Sequence, residues 1–203
     1  MKKITILIAL LGMSALANAS PNLVLNGSFE ADSQGAGTWS NYTNLTDWVG
    51  GEFGIELRNN VAGAASNGVN FVELDTTQNS SMYQNISTSL GSVYNLSFDY
   101  SPRENISSES NPIQVLWNGV QVSEVTGTGG PSGNNWVTYD FNVTGTGGLD
   151  QLKFVATGVS DSYGGSLDNV VLTAVPEPET YAMLLAGLGL VGFSIRRSKN
   201  EQA

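Results

Sequence analysis

The chain has 203 residues, with 18 acidic and 8 basic side chains and with neither histidine nor cysteine. The absence of cysteine excludes disulfides, thiol nucleophiles and thiolate-ligated metals, and the absence of histidine excludes a Ser–His–Asp triad and an imidazole base. Carboxylate, serine, lysine and tyrosine chemistry stays open, and the length suggests one domain with additional terminal segments.

The N-terminus has the three parts of a secretory signal peptide. Lys2 and Lys3 form a positive start, residues 4–11 form a short apolar run, and Ala17 and Ala19 frame a small-residue cleavage site. The apolar run is too short to cross a bilayer comfortably. We therefore predict that residues 1–19 are a signal peptide and that the protein is exported.

Residues 20–175 have the pattern of one all-β domain. Gly, Asn, Ser and Thr separate short β-prone runs, and no stretch has sustained helical spacing. Apolar and polar residues alternate over 94–100, and Asn118-Gly119 predicts a two-residue hairpin because both residues tolerate positive φ. The predicted strands are Leu23–Phe29, Phe53–Leu57, Val69–Leu74, Met82–Ile86, Val93–Tyr100, Ile113–Trp117, Val120–Val125, Trp136–Val143, Gln151–Ala156 and Leu167–Thr173.

The first and last of these segments carry a family resemblance. Asn22–Glu30 and Ser166–Leu172 resemble the first and last strands of galactose-binding-like jelly rolls, the fold of many carbohydrate-binding modules, and the order of the segments between them is similar too. The resemblance implies a single jelly-roll β-sandwich over 20–175. It says less about function, because this fold hosts both ligand binders and purely structural domains.

The same resemblance implies a structural calcium ion that ties the first strand to the last. The matching carboxylates are Glu30 and Asp168, and the family's third acidic ligand would be Glu52 or Glu56. Calcium takes six to eight oxygen ligands, which strand-end carboxylates and backbone carbonyls supply. The alternative is that Glu30 and Asp168 accept hydrogen bonds from loop amides and bind no metal.

Carbohydrate binding would use exposed aromatic side chains near polar loops. We select Trp117 beside the hairpin, Trp136 after the glycine-rich loop, and Tyr163 as candidate platforms, with Arg103 as a hydrogen-bond donor. The alternatives are that the aromatic side chains belong to the core and that Arg103 pairs with a nearby acid such as Glu104 or Glu109. The remaining large aromatic residues near polar loops are Trp39, Tyr42 and Trp48, of which Trp48 resembles a core residue of these folds.

Catalysis would require a pair of carboxylates. Glu73 and Asp75 share one face of a strand about 7 Å apart, within the separation that glycosidases use. Neighbours on one strand do not face each other across a bond, and the alternation with Val72 and Leu74 is that of a half-exposed strand. We therefore predict that the protein is not an enzyme, with a secreted glycosidase as the remaining catalytic possibility.

The C-terminus combines three features in a fixed order. Pro176, Glu177 and Pro178 precede an apolar run over 181–195, and a basic end follows at 196–199. This arrangement resembles the PEP-CTERM sorting signal of Gram-negative bacteria. The resemblance implies a tail over 176–203 that crosses the inner membrane and is recognised by an exosortase, which delivers the protein to the cell surface or the extracellular matrix. A plain tail anchor is the alternative.

In the PEP-CTERM resemblance, the basic end corresponds to Arg196 and Arg197.

Between residues 20 and 175 there are only 3 basic side chains against 15 acidic ones, which gives the exported part a net charge of −12. This charge repels phosphate backbones, so we predict no nucleic-acid partner. The leading hypothesis is a surface or matrix protein that associates with polysaccharide. The alternative is a structural or adhesive protein that binds proteins or itself.

Overall fold

The structure is a computed structural model, and it describes residues 20–176 and 185–191. Within these residues the chain forms two antiparallel sheets of six strands each, packed face to face as a β-sandwich. The strands are β1 (Trp39–Tyr42), β2 (Asn44–Leu45), β3 (Trp48–Gly50), β4 (Ile55–Asn59), β5 (Asn70–Glu73), β6 (Ser81–Ser87), β7 (Val93–Ser101), β8 (Ile113–Trp117), β9 (Val120–Val125), β10 (Val137–Thr144), β11 (Leu149–Ala156) and β12 (Ser166–Ala174).

The strand order confirms the predicted jelly-roll β-sandwich. The first sheet runs β1-β4-β5-β12-β7-β10 and the second runs β2-β3-β6-β11-β8-β9, so strands distant in sequence become neighbours. The inward-facing residues of both sheets form one core, in which Trp48 contacts Phe29 and Phe154. Trp48 is fully buried, as its resemblance to a core residue predicted.

The structure has strands at nine of the ten predicted positions, and the first prediction is wrong. Leu23–Phe29 is not a strand, because Asn26 and Phe29 adopt positive φ of 47° and 59° and turn the chain. The segment still lies along β12: the Leu23 amide donates to Leu172 O at 2.8 Å, and the Val170 amide donates to Gly27 O at 2.8 Å. The turned segment therefore occupies the place beside the last strand that the resemblance assigned to a strand.

The hairpin between β8 and β9 forms as predicted. Asn118 and Gly119 have φ of 52° and 76°, and Trp117 pairs with Val120 across the turn. The three short strands β1, β2 and β3 were not predicted. Within residues 39–50 the chain passes from the first sheet to the second, and Thr43 separates β1 of the first sheet from β2 of the second.

The outer face of the first sheet is unusual because its central part, on β4, β5, β12 and the end of β7, carries side chains that are mostly polar and yet buried. On β4 and β5 the inward residues Ile55, Leu57 and Val72 alternate with outward residues that loops cover. The covering loops are 60–69, 102–112, 127–136 and 157–165. The outward residues with less than a tenth of their surface exposed are Glu56, Arg58, Phe71, Glu73, Asp99, Ser101, Ser166 and Asp168.

The described part of the tail is short. Pro176 is exposed directly after β12, and residues 185–191 are helical. Among the described residues no helix is long and apolar enough to cross a membrane. The predicted signal peptide over 1–19, most of the predicted apolar helix, and Glu177, Pro178, Arg196 and Arg197 lie outside the described residues.

Candidate functional site

The site begins with the pairing of β1 and β4 at one edge of the first sheet. Trp39 pairs with Arg58, and Asn41 pairs with Glu56. Paired residues of antiparallel strands point to the same face, so these four side chains form one patch on the outer face. Trp39 keeps 52% of its surface exposed, whereas Glu56 and Arg58 are buried.

Two arginines and two glutamates form an ion-pair network on this patch. Arg58 Nη2 lies 2.5 Å from Glu56 Oε1 and 3.1 Å from Glu73 Oε2, and Arg103 Nη1 lies 2.9 Å from Glu73 Oε2. Burial raises the pKa of Glu73 to about 7 against the opposing effect of the two arginines, and burial also raises the pKa of Glu56. The network therefore holds two carboxyl groups whose ionisation is costly without the arginines.

The loop over 157–165 closes the patch on one side, and buried carboxylates hold that loop. Asp75 Oδ2 accepts hydrogen bonds from the amides of Asp161, Ser162 and Tyr163, and Glu73 Oε1 accepts one from the amide of Gly164 at 2.8 Å. Burial is the main reason that the pKa of Asp75 is raised. These contacts fix the backbone that carries Tyr163.

Tyr163 also packs against Arg103. The guanidinium carbon of Arg103 lies 5.6 Å from the centre of the Tyr163 ring, within the range of a cation–π contact. Tyr163 keeps 47% of its surface exposed. Arg103 therefore links the aromatic side chain to the buried Glu73.

Together these groups surround a cavity of about 390 Å³, which we call the aromatic pocket. It combines two half-exposed aromatic side chains with buried charges and with polar side chains from three loops. Its lining residues are Trp39, Asn41, Glu56, Arg58, Thr76, Thr77, Arg103, Ser162 and Tyr163.

The structure brings two of the four predicted sugar-binding residues into this pocket, namely Arg103 and Tyr163. Arg103 pairs with Glu73 and not with Glu104 or Glu109; Glu104 instead accepts a hydrogen bond from the Gly133 amide. Sequence separation concealed the Glu73 pairing, since the two residues are 30 positions apart.

Trp136 and Trp117 lie elsewhere. Trp136 is partly buried on the same outer face, where it packs edge-on against Phe71 and donates a hydrogen bond to Ala64 O. Trp117 is only 6% exposed, and its indole donates to Thr144 O at 3.0 Å. Trp117 thus belongs to the core, which was the alternative to the predicted sugar platform. Its ring is not exposed to a ligand.

The predicted calcium ligands hold a loop through its amides. Glu30 Oε1 accepts hydrogen bonds from the amides of Val69 and Asn70 at 2.8 and 2.7 Å. Asp168 Oδ2 accepts hydrogen bonds from the amides of Ser66 and Asn67, both at 2.8 Å. The two carboxylates therefore clamp the segment 66–70, which is the alternative that the sequence left open.

This donor set does not fit a calcium ion. The hydrogen-bond partners of Glu30 and Asp168 are N–H donors, whereas calcium needs oxygen ligands. Within residues 20–176 and 185–191, no three acidic side chains come together as a metal-binding group. Glu56 forms an ion pair with Arg58, and Glu52 lies in the turn before β4. Neither therefore adds a third carboxylate beside Glu30 and Asp168. Calcium binding is untested, and the amide contacts favour the alternative without a metal.

Asp168 has a second buried neighbour. Burial and the nearby charge of Asp99 raise the pKa of Asp168 to about 7, although amide hydrogen bonds oppose the shift. Asp99 in turn accepts hydrogen bonds from the Ser66 and Thr138 hydroxyls.

Glu73 and Asp75 are buried as well. This corrects the prediction of a half-exposed strand, because loops cover the face on which both side chains lie.

The sequence interpretation missed Trp39 and Arg58 as site residues. A usable signal was present, because Glu56 and Arg58 alternate with Ile55 and Leu57 and so share the outer face of β4. Trp39 gave no comparable signal, since β1 was not predicted.

These features define a jelly-roll β-sandwich with an aromatic pocket on its outer face. The chain also carries a sorting tail: residues 174–198 match the family model of the PEP-CTERM protein-sorting motif. This match confirms the tail predicted from Pro176–Pro178 and the features after it. It indicates an exported protein that is sorted by an exosortase.

Two solved structures are similar in fold. A cyclase from Fischerella sp. TAU aligns with a TM-score of 0.56 at 13% identity, over 79% of this chain and 98% of that chain. A family 35 carbohydrate binding module from Clostridium thermocellum aligns with a TM-score of 0.48 at 14% identity, over 68% of this chain and 99% of that chain. At 13% identity the likeness to the cyclase concerns the fold alone.

A curated relative covers most of the β-sandwich. The chain is 31% identical over 166 residues to the multifunctional-autoprocessing repeats-in-toxin protein of Vibrio cholerae serotype O1. The aligned region is 81% of this chain and 3% of that protein, so this chain spans only a small part of the relative's length.

Proposed function

We propose that this protein is a non-catalytic surface or matrix protein that binds polysaccharide in the aromatic pocket. The observation that carries the proposal is the presence of two half-exposed aromatic side chains, Trp39 and Tyr163, in one polar pocket. Sugar rings have apolar faces that stack on such side chains and hydroxyls that need hydrogen-bond partners.

The size and rigidity of the pocket support this role. A volume of about 390 Å³ lies within the range of roughly 300–1,000 Å³ that is usual for ligand pockets. Tyr163 is fixed through Asp75 and Arg103, so little ordering would be needed when a ligand stacks on it. The carboxyl groups of Glu56 and Glu73 are engaged by arginine, which favours a binding role over acid–base catalysis.

Retention by immobilised or gel-embedded polysaccharides tests the sugar-binding proposal. Trp39→Ala and Tyr163→Ala should each lose retention, and Tyr83→Ala, which removes an aromatic side chain from β6 of the other sheet, should keep it. If the unaltered protein is retained by no neutral or acidic polysaccharide, sugar binding is wrong. The structural or adhesive alternative would then be the better hypothesis.

We propose further that an exosortase cleaves the tail and releases the β-sandwich to the surface or extracellular matrix of a Gram-negative bacterium. The match over 174–198 supports this proposal. In it, the tail inserts transiently into the inner membrane with its basic end inside. Replacing Pro176, Glu177 and Pro178 together with alanine should leave the full-length form in the membrane fraction. Unchanged release of a shortened form would contradict the proposal.

A further inference from the structure

We infer that the aromatic pocket selects neutral saccharides over uronic acids, with Glu56 and Arg58 recognising sugar hydroxyls. The inference rests on the proposed sugar-binding function and adds the chemical class of the sugar. Its evidence is the charge balance of the pocket and two buried polar atoms in it.

The charges of the pocket are already paired. Each guanidinium has a carboxylate within 3.1 Å: Arg58 contacts Glu56 and Glu73, and Arg103 contacts Glu73. When Glu73 is ionised, as at pH 8, two cations thus face two anions, and no positive charge is left over for an anionic ligand. Glu56 itself lines the pocket, so a ligand carboxylate would meet a carboxylate of like charge there.

Two atoms of the same residues have no hydrogen-bond partner among the described residues. They are Arg58 Nε, a donor without any polar contact, and Glu56 Oε1, an acceptor whose one polar contact is the ion pair with Arg58 Nη2 at 2.5 Å. Both residues are only 4% exposed. A buried donor without a partner is costly, so a ligand that accepts a hydrogen bond from Arg58 Nε gains affinity.

A hydroxyl group is the ligand chemistry that fits both atoms. It donates one hydrogen bond and accepts others, so sugar hydroxyls can donate to Glu56 Oε1 and accept from Arg58 Nε. An ionised carboxylate accepts only. It could pair with Arg58 Nε, but the Glu56 carboxylate beside it would repel the charge of the ligand. Because Glu56 Oε1 lies 2.5 Å from Arg58 Nη2, it is also close to the Nε of the same guanidinium, so hydroxyls of one sugar could reach both atoms.

Matched oligosaccharides test the inference. Short uronic-acid oligomers and their carboxyl-reduced neutral forms share linkage and stereochemistry, and three pairs would be used, based on glucuronate, mannuronate and galacturonate. Affinity is measured by calorimetry at pH 8, where Glu73 is ionised, and at constant salt. We expect at least one neutral form to bind, and to bind at least tenfold more tightly than its uronate.

The net negative charge of the whole protein would also repel uronates. A control variant that removes one negative charge far from the pocket is therefore needed to separate this effect from that of Glu56. Glu56→Gln and Asp140→Asn each remove one negative charge, and Asp140 lies exposed on β10, outside the pocket lining. We expect Glu56→Gln to narrow the neutral-over-acidic preference at least threefold, and Asp140→Asn to leave it unchanged. Arg58→Lys, which lacks the Nε donor, should weaken neutral binding at least fivefold. Circular dichroism confirms that each variant is folded.

The outcomes separate the two proposals. If no member of any pair binds, the sugar-binding function itself is wrong. If a uronate binds as tightly as its neutral form, or more tightly, sugar binding holds and the neutral selectivity is overturned. If Glu56→Gln and Asp140→Asn change the preference equally, the selectivity comes from overall charge and not from the pocket.

Discussion

Asp150 connects three loops at one end of the sandwich. Its carboxylate accepts hydrogen bonds from the Thr88 hydroxyl at 2.5 Å, the Asn118 side-chain amide at 2.7 Å, and both the amide and the hydroxyl of Thr146. Burial opposes ionisation, but these hydrogen bonds outweigh it and lower the pKa of Asp150 to about 2. The ionised form therefore stabilises the native state.

We predict that Asp150→Ala lowers the free energy of unfolding by about 3 kcal/mol at pH 7, because several buried donors lose their acceptor. Urea unfolding measures the change, with Asp140→Ala on exposed β10 as the control within about 0.5 kcal/mol of the unaltered protein. A loss below about 1 kcal/mol for Asp150→Ala would mean that water replaces the lost contacts.

Glu30 and Asp168 stabilise the segment 66–70 through four amide hydrogen bonds. We predict that Glu30→Ala and Asp168→Ala each cost about 2 kcal/mol of stability in EDTA. Glu52→Ala, at the exposed alternative calcium ligand, should cost almost nothing. Because the clamp uses amides, added calcium should leave the Tm of the unaltered protein unchanged. A rise of several degrees that both variants abolish would instead establish the calcium site.

At the scale of elements, the turned segment before β1 depends on a close approach to β12. A Cβ atom at Gly27 would lie 2.0 Å from Val170 O, which is backbone and cannot move away cheaply. We predict that Gly27→Ala destabilises the protein by about 2 kcal/mol or more, because the segment must separate from β12. Gly130→Ala, where a Cβ would meet nothing within 4 Å, is the matched control in thermal unfolding. Equal Tm values for the two variants would contradict this packing.

The strands that the sequence predicted correctly are those with one face in the core and a clear boundary. Over 94–100 the alternation alone defines β7, and Asn118-Gly119 defines the turn between β8 and β9. The strands β1 to β3 have two to four residues each, too few for a periodic pattern. Leu23–Phe29 has a strand composition, but contacts with β12 and Trp48 override that local preference.

The site was predictable only in part, for a related reason. Tyr163 and Arg103 could be selected because each stands in a polar loop. Their connection to Glu73 depends on the position of β5 in the middle of the first sheet, which no local pattern reveals. Trp117 was misplaced because its position beside a hairpin suggests exposure, whereas its side chain points inward between the sheets.

At the scale of the whole molecule, buried carboxyl groups act in opposite directions on stability. Asp150 has a lowered pKa and stabilises the native state when it is ionised. Glu73 and Asp168 have pKa values raised to about 7, so the native state holds their protons over a range in which the unfolded chain has released them. The first effect is lost in acid, and the second is lost as pH rises toward 7.

We therefore predict that stability is greatest at about pH 4 to 5. Below that range the unfolded chain protonates Asp150 while the native state keeps it ionised, so its contribution to stability is lost as pH falls toward 2. Between about pH 4 and pH 7 the native state binds more protons than the unfolded state, so the free energy of unfolding falls as pH rises, by about 3 kcal/mol for Glu73 and about 4 kcal/mol for Asp168. Urea unfolding at pH 3, 5 and 8 measures how the free energy of unfolding depends on pH.

Glu73→Gln and Asp168→Asn should each reduce the decrease in the free energy of unfolding between pH 5 and 8, because each removes one of the titrating groups. Asp140→Asn should not. A free energy of unfolding that rises steadily from pH 5 to 8 would show that these carboxyl groups are ionised in the native state throughout, and that the ion pairs of Glu73 and the amide contacts of Asp168 outweigh burial.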